Sequence, residues 1–211
     1  MGRSKSPRAR AFESIRRLIS QRFSEDDSFD TILHFNDPAK ATEYVDRAAA
    51  LVATTMVEQA LETAILSHFI NLSESERSEL FWSDKDAPLA SFSSRIRIGY
   101  ALGVFGPRVR DDLTCIRNIR NVFAHSIAHI TFDSNEIRPA CDQLNYPQFF
   151  KFAFTQIFQT PDTPKEKFLV TCQLVTMYLF TRPGDQPKKY SRSQDSWGFL
   201  EEPQAWLEKY R

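Results

Sequence analysis

Apolar residues recur along this chain at steps of three and four, and alternating apolar runs bounded by Asn-Gly or Asp-Gly are nearly absent. The pattern predicts an all-α fold: a single-domain helical bundle with one long N-terminal helix and flexible tails at both ends. That long helix is expected to open at Asp37-Pro38, where proline at the first helical position loses no hydrogen bond, and to run to about Asn71. Ser73-Glu74-Ser75-Glu76 and Thr163-Pro164-Lys165-Glu166 both read as capping boxes, in which a hydroxyl and a carboxylate satisfy orphan amides reciprocally. The first opens a short helix ending near Trp82, the second a helix running to about Thr181.

Between them, Pro88 precedes a stripe of Leu89, Phe92, Ile96, Tyr100 and Gly103, which Gly106-Pro107 stops. Gly99 and Gly103 fall four apart in that expected helix. Each weakens it by about 1 kcal/mol relative to alanine, so a close helix neighbour must offset them. Asp111 and Asp112 favour a following helix N-terminus, and Leu113, Ile116, Ile119, Phe123 and Ile127 form the next core stripe. Phe150, Ala153, Phe154, Ile157 and Phe158 repeat the spacing, whereas Pro139 should split or delay a helix between 133 and 145. From Pro183 the composition turns to Pro, Gly, Ser, Lys and Gln, as in a flexible tail, with Trp206, Leu207 and Tyr210 spaced for a short docking helix.

Composition narrows the classes. With 211 residues and 42% apolar content, the chain can bury one full core, which gives a division into a basic arm (1–22), a helical domain (23–182) and a tail (183–211). Lysine plus arginine equals aspartate plus glutamate at 27 each, which argues against a nucleic-acid coat or a polybasic membrane anchor. The arm is locally different: seven cations against Glu13 alone leave it at +6, suiting either an acidic partner or a solvated leader. Cys115, Cys141 and Cys172 are odd in number and lack a C-x-x-C pair, so they read as buried thiols of a reducing compartment. The basic start is not followed by an apolar signal region, and the longest apolar stretch, Phe168 to Phe180, is broken by polar residues. A cytoplasmic protein without a membrane segment is the expectation.

The chemistry concentrates in Arg117-Asn118-Ile119-Arg120-Asn121-Val122-Phe123-Ala124-His125. On a helix, Arg117, Asn121 and His125 share one face, with Ala124 beside them leaving room, while Arg120 flanks it about 140° from His125. Guanidinium pairs with phosphoryl oxygens and imidazole moves protons near neutral pH, so the run fits phosphate handling. One chain offers one histidine in this setting, and a dimer would supply a second. On the long helix, Leu51, Thr55, Glu58, Glu62 and Ile65 share a stripe whose two carboxylates need partners, and Arg95, Arg117 and Arg120 are the expected cations. That arrangement reads as an internal ion-pair network or as acid-base chemistry. His125 and His129 also fall at i, i+4, a zinc-pair spacing with only Asp133 as a third ligand, so no metal and no cofactor are expected.

Three stretches in order resemble the mannitol-repressor family: Val57-Glu58-Gln59-Ala60-Leu61-Glu62, Pro88 to Ile96 continuing through Tyr100 to Gly103, and Ile116 to Ser126. The resemblance spans about residues 35 to 145. It implies a small helical regulator of transcription that acts through protein partners rather than a helix-turn-helix, so direct sequence-specific DNA recognition is not expected. Arg120-Asn121-Val122-Phe123-Ala124-His125 also resembles the R-x4-H motif of the HEPN superfamily. That likeness implies the alternative, a dimeric metal-independent RNase or toxin in which Arg120, Asn121 and His125 are catalytic. Arg117, Glu58, Glu62 and Arg95 are the candidate binding residues, and a protein partner, a second copy or RNA are the candidate ligands.

Overall fold

The computed structural model describes residues 6–20, 40–82, 87–126, 129–146 and 161–181. Among these the elements are all helices: α1 (Pro7–Ser20), α2 (Ala41–Leu66), α3 (Glu74–Phe81), α4 (Phe92–Ala101), α5 (Pro107–His125), α6 (Arg138–Cys141) and α7 (Pro164–Thr181). The expected Asp37-Pro38 start, Ile127, the stripe from Phe150 to Phe158 and the tail beyond 183 lie outside the described residues.

Both capping boxes form. The Glu76 amide donates to Ser73 Oγ at 3.3 Å while the Ser73 amide donates to Glu76 Oε2 at 2.8 Å. At the start of α7, Glu166 N donates to Thr163 Oγ1 at 3.2 Å and Thr163 N to Glu166 Oε2 at 3.0 Å. Each box fixes where the chain turns into its helix.

Helix α5 is the centre of the bundle, packing against α1, α2, α4, α6 and α7, and the most extensive helix pairing joins α2 to α7. Leu113, Ile116, Ile119, Val122 and Phe123 of α5 are fully buried, facing Val57, Ala60, Leu61 and Ile65 from α2 and Phe168 and Val175 from α7 in the same core. The three cysteines are buried and free, as the sequence implied. Helix α2, and not the Phe168 to Phe180 stretch, is long and apolar enough to cross a membrane by length and composition. Glu43, Asp46 and Glu62 on it are buried and each meets a cation of the bundle, the arrangement of a core helix.

Several boundaries differ from the sequence reading. Helix α2 ends at Leu66 rather than near Asn71. Gly103 lies in the turn after α4 with φ 75°, so it supplies a left-handed backbone and not a helix contact. Gly99 is helical, and its close neighbour is intramolecular: a Cβ there would stand 2.8 Å from Phe105 Cε1. Asp111 and Asp112 sit inside α5, whose N-cap is Gly106 followed by Pro107, so they do not flank its start. Asp112 is instead buried, accepting hydrogen bonds from Asn145 N, Asn145 Nδ2 and Tyr146 N at 2.8–3.2 Å, and it ties the segment after α6 to α5. Pro139 delays rather than abolishes a helix, standing in the first turn of α6. Within the segment assigned to a basic arm, residues 7–20 form α1, which docks Ala11 and Ile15 into the core, pairs Arg8 with Asp111 of α5 at 3.2 Å and leaves Arg10, Arg16 and Arg17 exposed.

Candidate functional site

The run from Arg117 to His125 forms the last two turns of α5. Neighbouring helices leave residues 107–124 of α5 buried or half-buried, the side chains of Arg110 and Asp111 still 41% and 38% open, and His125 is exposed at its end. Arg117, Asn118, Arg120 and Asn121 are half-buried along the same stretch. Arg120 donates to Asn121 Oδ1 at 3.3 Å, and Arg117 to Asn118 Oδ1 at 2.9 Å. These side chains therefore hold one another in place and leave the histidine to solvent.

The end of α5 is anchored from α2. Arg47 donates to the carbonyls of Phe123 and Ser126, the latter at 3.2 Å, taking over acceptors that a helix C-terminus leaves free. Glu43 holds Arg47 at 3.1 Å and His129 Nδ1 at 2.6 Å. The backbone on both sides of His125 is thus pinned to α2. Sequence reasoning missed Glu43 and Arg47, although their i, i+4 spacing was visible, because nothing in the chain announces which helix end they face.

The two carboxylates of the expected acidic stripe part company. Glu62 is buried and pairs with Arg95 at 3.2 Å and Arg77 at 2.7 Å, so Arg95 is the cation anticipated and Arg77 one that was not. Arg95 is itself buried, donates to the carbonyls of Leu89 at 2.8 Å and Phe81 at 3.3 Å, and lies over the rings of Phe81 and Trp82. That cluster joins α2, α3 and α4 and contains neither Arg117 nor Arg120. Glu58, one turn earlier, is half-buried without an ion pair among the described residues. Burial pushes its carboxyl above the ordinary range, while the charges of Arg120 and Arg95 pull the other way. The acid associated with the Arg-Asn-His ridge is therefore Glu58 and not Glu62.

Arg117 has a different environment. Its Nε is buried and finds no acceptor among the described residues. Burial lowers its affinity for the proton, and the like charges of Arg16 and Arg97 add to that effect.

The His125–His129 zinc spacing does not materialise: α5 stops at His125, Ser126 is extended, and His129 turns to Glu43. Among the described residues no group of three histidine, cysteine or acidic side chains is placed to hold a metal ion. Comparison of the chain with protein-family models, curated proteins and solved structures finds no match.

Proposed function

We propose that the exposed end of α5 acts on RNA phosphodiesters without a metal ion, with Arg120 and His125 at the reacting group. The observation that carries this reading is that His125 is exposed at the end of a helix whose other residues are buried or half-buried, with Arg120 five positions upstream and outside any ion pair among the described residues. Glu58, the acid on which the charge of Arg120 acts, does not form an ion pair with it among the described residues, whereas Glu62 pairs directly with Arg95.

In the step this implies, the 2′-oxygen attacks the adjacent phosphorus and the bond from phosphorus to the 5′-oxygen breaks. The products are a 2′,3′-cyclic phosphate and a 5′-hydroxyl. Neutral His125 takes the 2′-hydroxyl proton, and a protonated imidazole, that of His125 in a second copy, returns one to the leaving oxygen. Arg120 pairs with the non-bridging oxygens as negative charge builds on them, and Asn121 orients Arg120.

Incubation of the full chain with a labelled oligoribonucleotide in excess chelator is the test. Cleavage that Arg120→Ala and His125→Ala each reduce by at least about a hundredfold, with helical content unchanged, is the expected result. Equal survival of RNA with wild type and both variants would sink the proposal.

A second reading has its own support. Every exposed residue of α2, among them Val45, Val52, Thr55, Met56 and Gln59, is uncharged. A helix face of this length without charge suits a protein contact, consistent with a regulator acting through a partner. Co-purification of one defined partner, lost on Val52→Lys, would favour that reading.

A further inference from the structure

The cleavage step above needs a second imidazole, and the packed chain holds one near the first. His125 closes α5, and His129 follows four positions later, after the helix has ended. Both are exposed. Four residues of chain separate their Cα atoms by at most about 14 Å.

Side-chain contacts tie the two together. Arg47 donates to the carbonyls of Phe123 and Ser126, which bracket His125, the Ser126 contact being 3.2 Å. Glu43 Oε1 holds Arg47 at 3.1 Å, and the other oxygen, Oε2, holds His129 Nδ1 at 2.6 Å. Three contacts of 2.6–3.2 Å therefore lead from the His129 ring to the backbone next to His125. The segment that carries His129 is itself fixed. Ile130 and Phe132 are buried, and Phe132 N donates to Asp46 Oδ2 at 3.0 Å, so His129 with Glu43 and Phe132 with Asp46 set it in register along α2. The His129 side chain is 59% exposed and that of Glu43 only 9%. A nearly buried carboxylate, already paired with Arg47, thus accepts from one ring nitrogen and leaves Nε2 without a hydrogen bond among the described residues.

We infer, on the RNA reading of the α5 end, that His129 is the general acid of the cleavage, in place of a histidine from a second copy, so that one chain carries both proton-transfer groups. His125 takes the proton of the 2′-hydroxyl as the 2′-oxygen attacks phosphorus. The electron pair of the breaking bond goes to the 5′-oxygen, which takes the Nε2 proton of His129. His129 is left neutral with its remaining proton on Nδ1, the tautomer from which Glu43 accepts. The contact with Glu43 survives the transfer, and proton exchange with water at the two exposed rings restores their starting states.

Two oligoribonucleotides incubated with the full chain in excess chelator separate the roles: one ordinary, one with sulfur replacing the 5′-bridging oxygen at a single linkage. A thiolate leaves without a proton, so only the ordinary linkage needs the acid. His129→Asn, whose amide can still donate to Glu43, is expected to slow the ordinary linkage about a hundredfold, with helical content unchanged, and to cleave the sulfur linkage near the wild-type rate. His125→Ala should slow both. Unchanged cleavage of the ordinary linkage by His129→Asn would overturn the inference and leave the RNA reading standing. Equal loss on both linkages would overturn it too, because a histidine that only supports the fold does not distinguish leaving groups. Chains carrying His125→Ala and His129→Asn, expressed together, should stay inactive, and activity regained would overturn the one-chain site. A wild type that cleaves neither linkage would remove the RNA reading and His129's role with it.

Discussion

Arg47 of α2 donates to the carbonyl of Ser126 at 3.2 Å and thereby closes the end of α5 that carries His125. The same guanidinium reaches Phe123 O and is held by Glu43, so one side chain ties the long helix to the backbone on both sides of His125. Charge at this end also suits the direction of the helix dipole, whose C-terminus favours a cation.

Removing that clamp should loosen the site before it unfolds the protein. Arg47→Ala is expected to lower stability by about 1–3 kcal/mol, the usual cost of stranding acceptors of a charged donor. Amide exchange at residues 122–126 should accelerate more than exchange in α7, and RNA cleavage should fall with it. Uniform acceleration across the bundle would show that Arg47 supports the fold in general and not the His125 end.

Arg95 is the side chain whose loss the core should tolerate least. It is 3% exposed, pairs with an equally buried Glu62 and fills two carbonyls besides. Arg95→Ala should cost about 3–5 kcal/mol in urea denaturation, since it takes the buried cation from a buried carboxylate, leaving it only the half-exposed Arg77, and empties two buried carbonyls. Arg77→Ala removes the outer, half-exposed cation of the same acid and should cost about 1 kcal/mol or less. Similar losses for the two variants would contradict the buried geometry.

Gly99→Ala sets two effects against each other. Alanine favours the helix by about 1 kcal/mol. Its Cβ, however, would meet Phe105 Cε1 at 2.8 Å and Leu61 Cδ1 at 3.3 Å, both from buried side chains. Overpacking of this kind costs about 1–3 kcal/mol, so a net loss of about 1 kcal/mol is expected in the thermal or urea midpoint. A more stable variant would mean the Phe105 ring has room to move.

Asp112 makes stability depend on pH. Burial pushes its carboxyl from 3.8 up to about 7, outweighing the hydrogen bonds from Asn145 and Tyr146 and the charge of Arg8. The native state then holds the proton more tightly than the unfolded chain, so this contribution is full below pH 4 and is lost as pH rises towards 7. The stability of wild type minus that of Asp112→Asn should therefore fall by a few kcal/mol (order of magnitude) between pH 4 and pH 7. A difference that stays flat across the window would show that Asp112 folds as a carboxylate.

How much of this was written in the chain follows from the range of each interaction. The helices, the two capping boxes at Ser73 and Thr163, the buried stripe of α5 and the helical placement of Arg117, Arg120, Asn121 and His125 all depend on residues within a turn or two of one another, and periodicity displays them directly. Local pattern failed where the decision was not local. Asp112 looked like a helix-start signal because its partners, Asn145 and Tyr146, lie more than thirty positions away. The sequence offered Arg95 as one of three cations for the acidic stripe, but could not say that α1 docks, that Glu62 would take Arg77 as well while Arg117 and Arg120 stayed out of that cluster, or that Arg47 would find the end of α5. Spacing along a helix assigns a side chain to a face, whereas the neighbour across that face is chosen by how the helices pack, and only the packed bundle left His125 open.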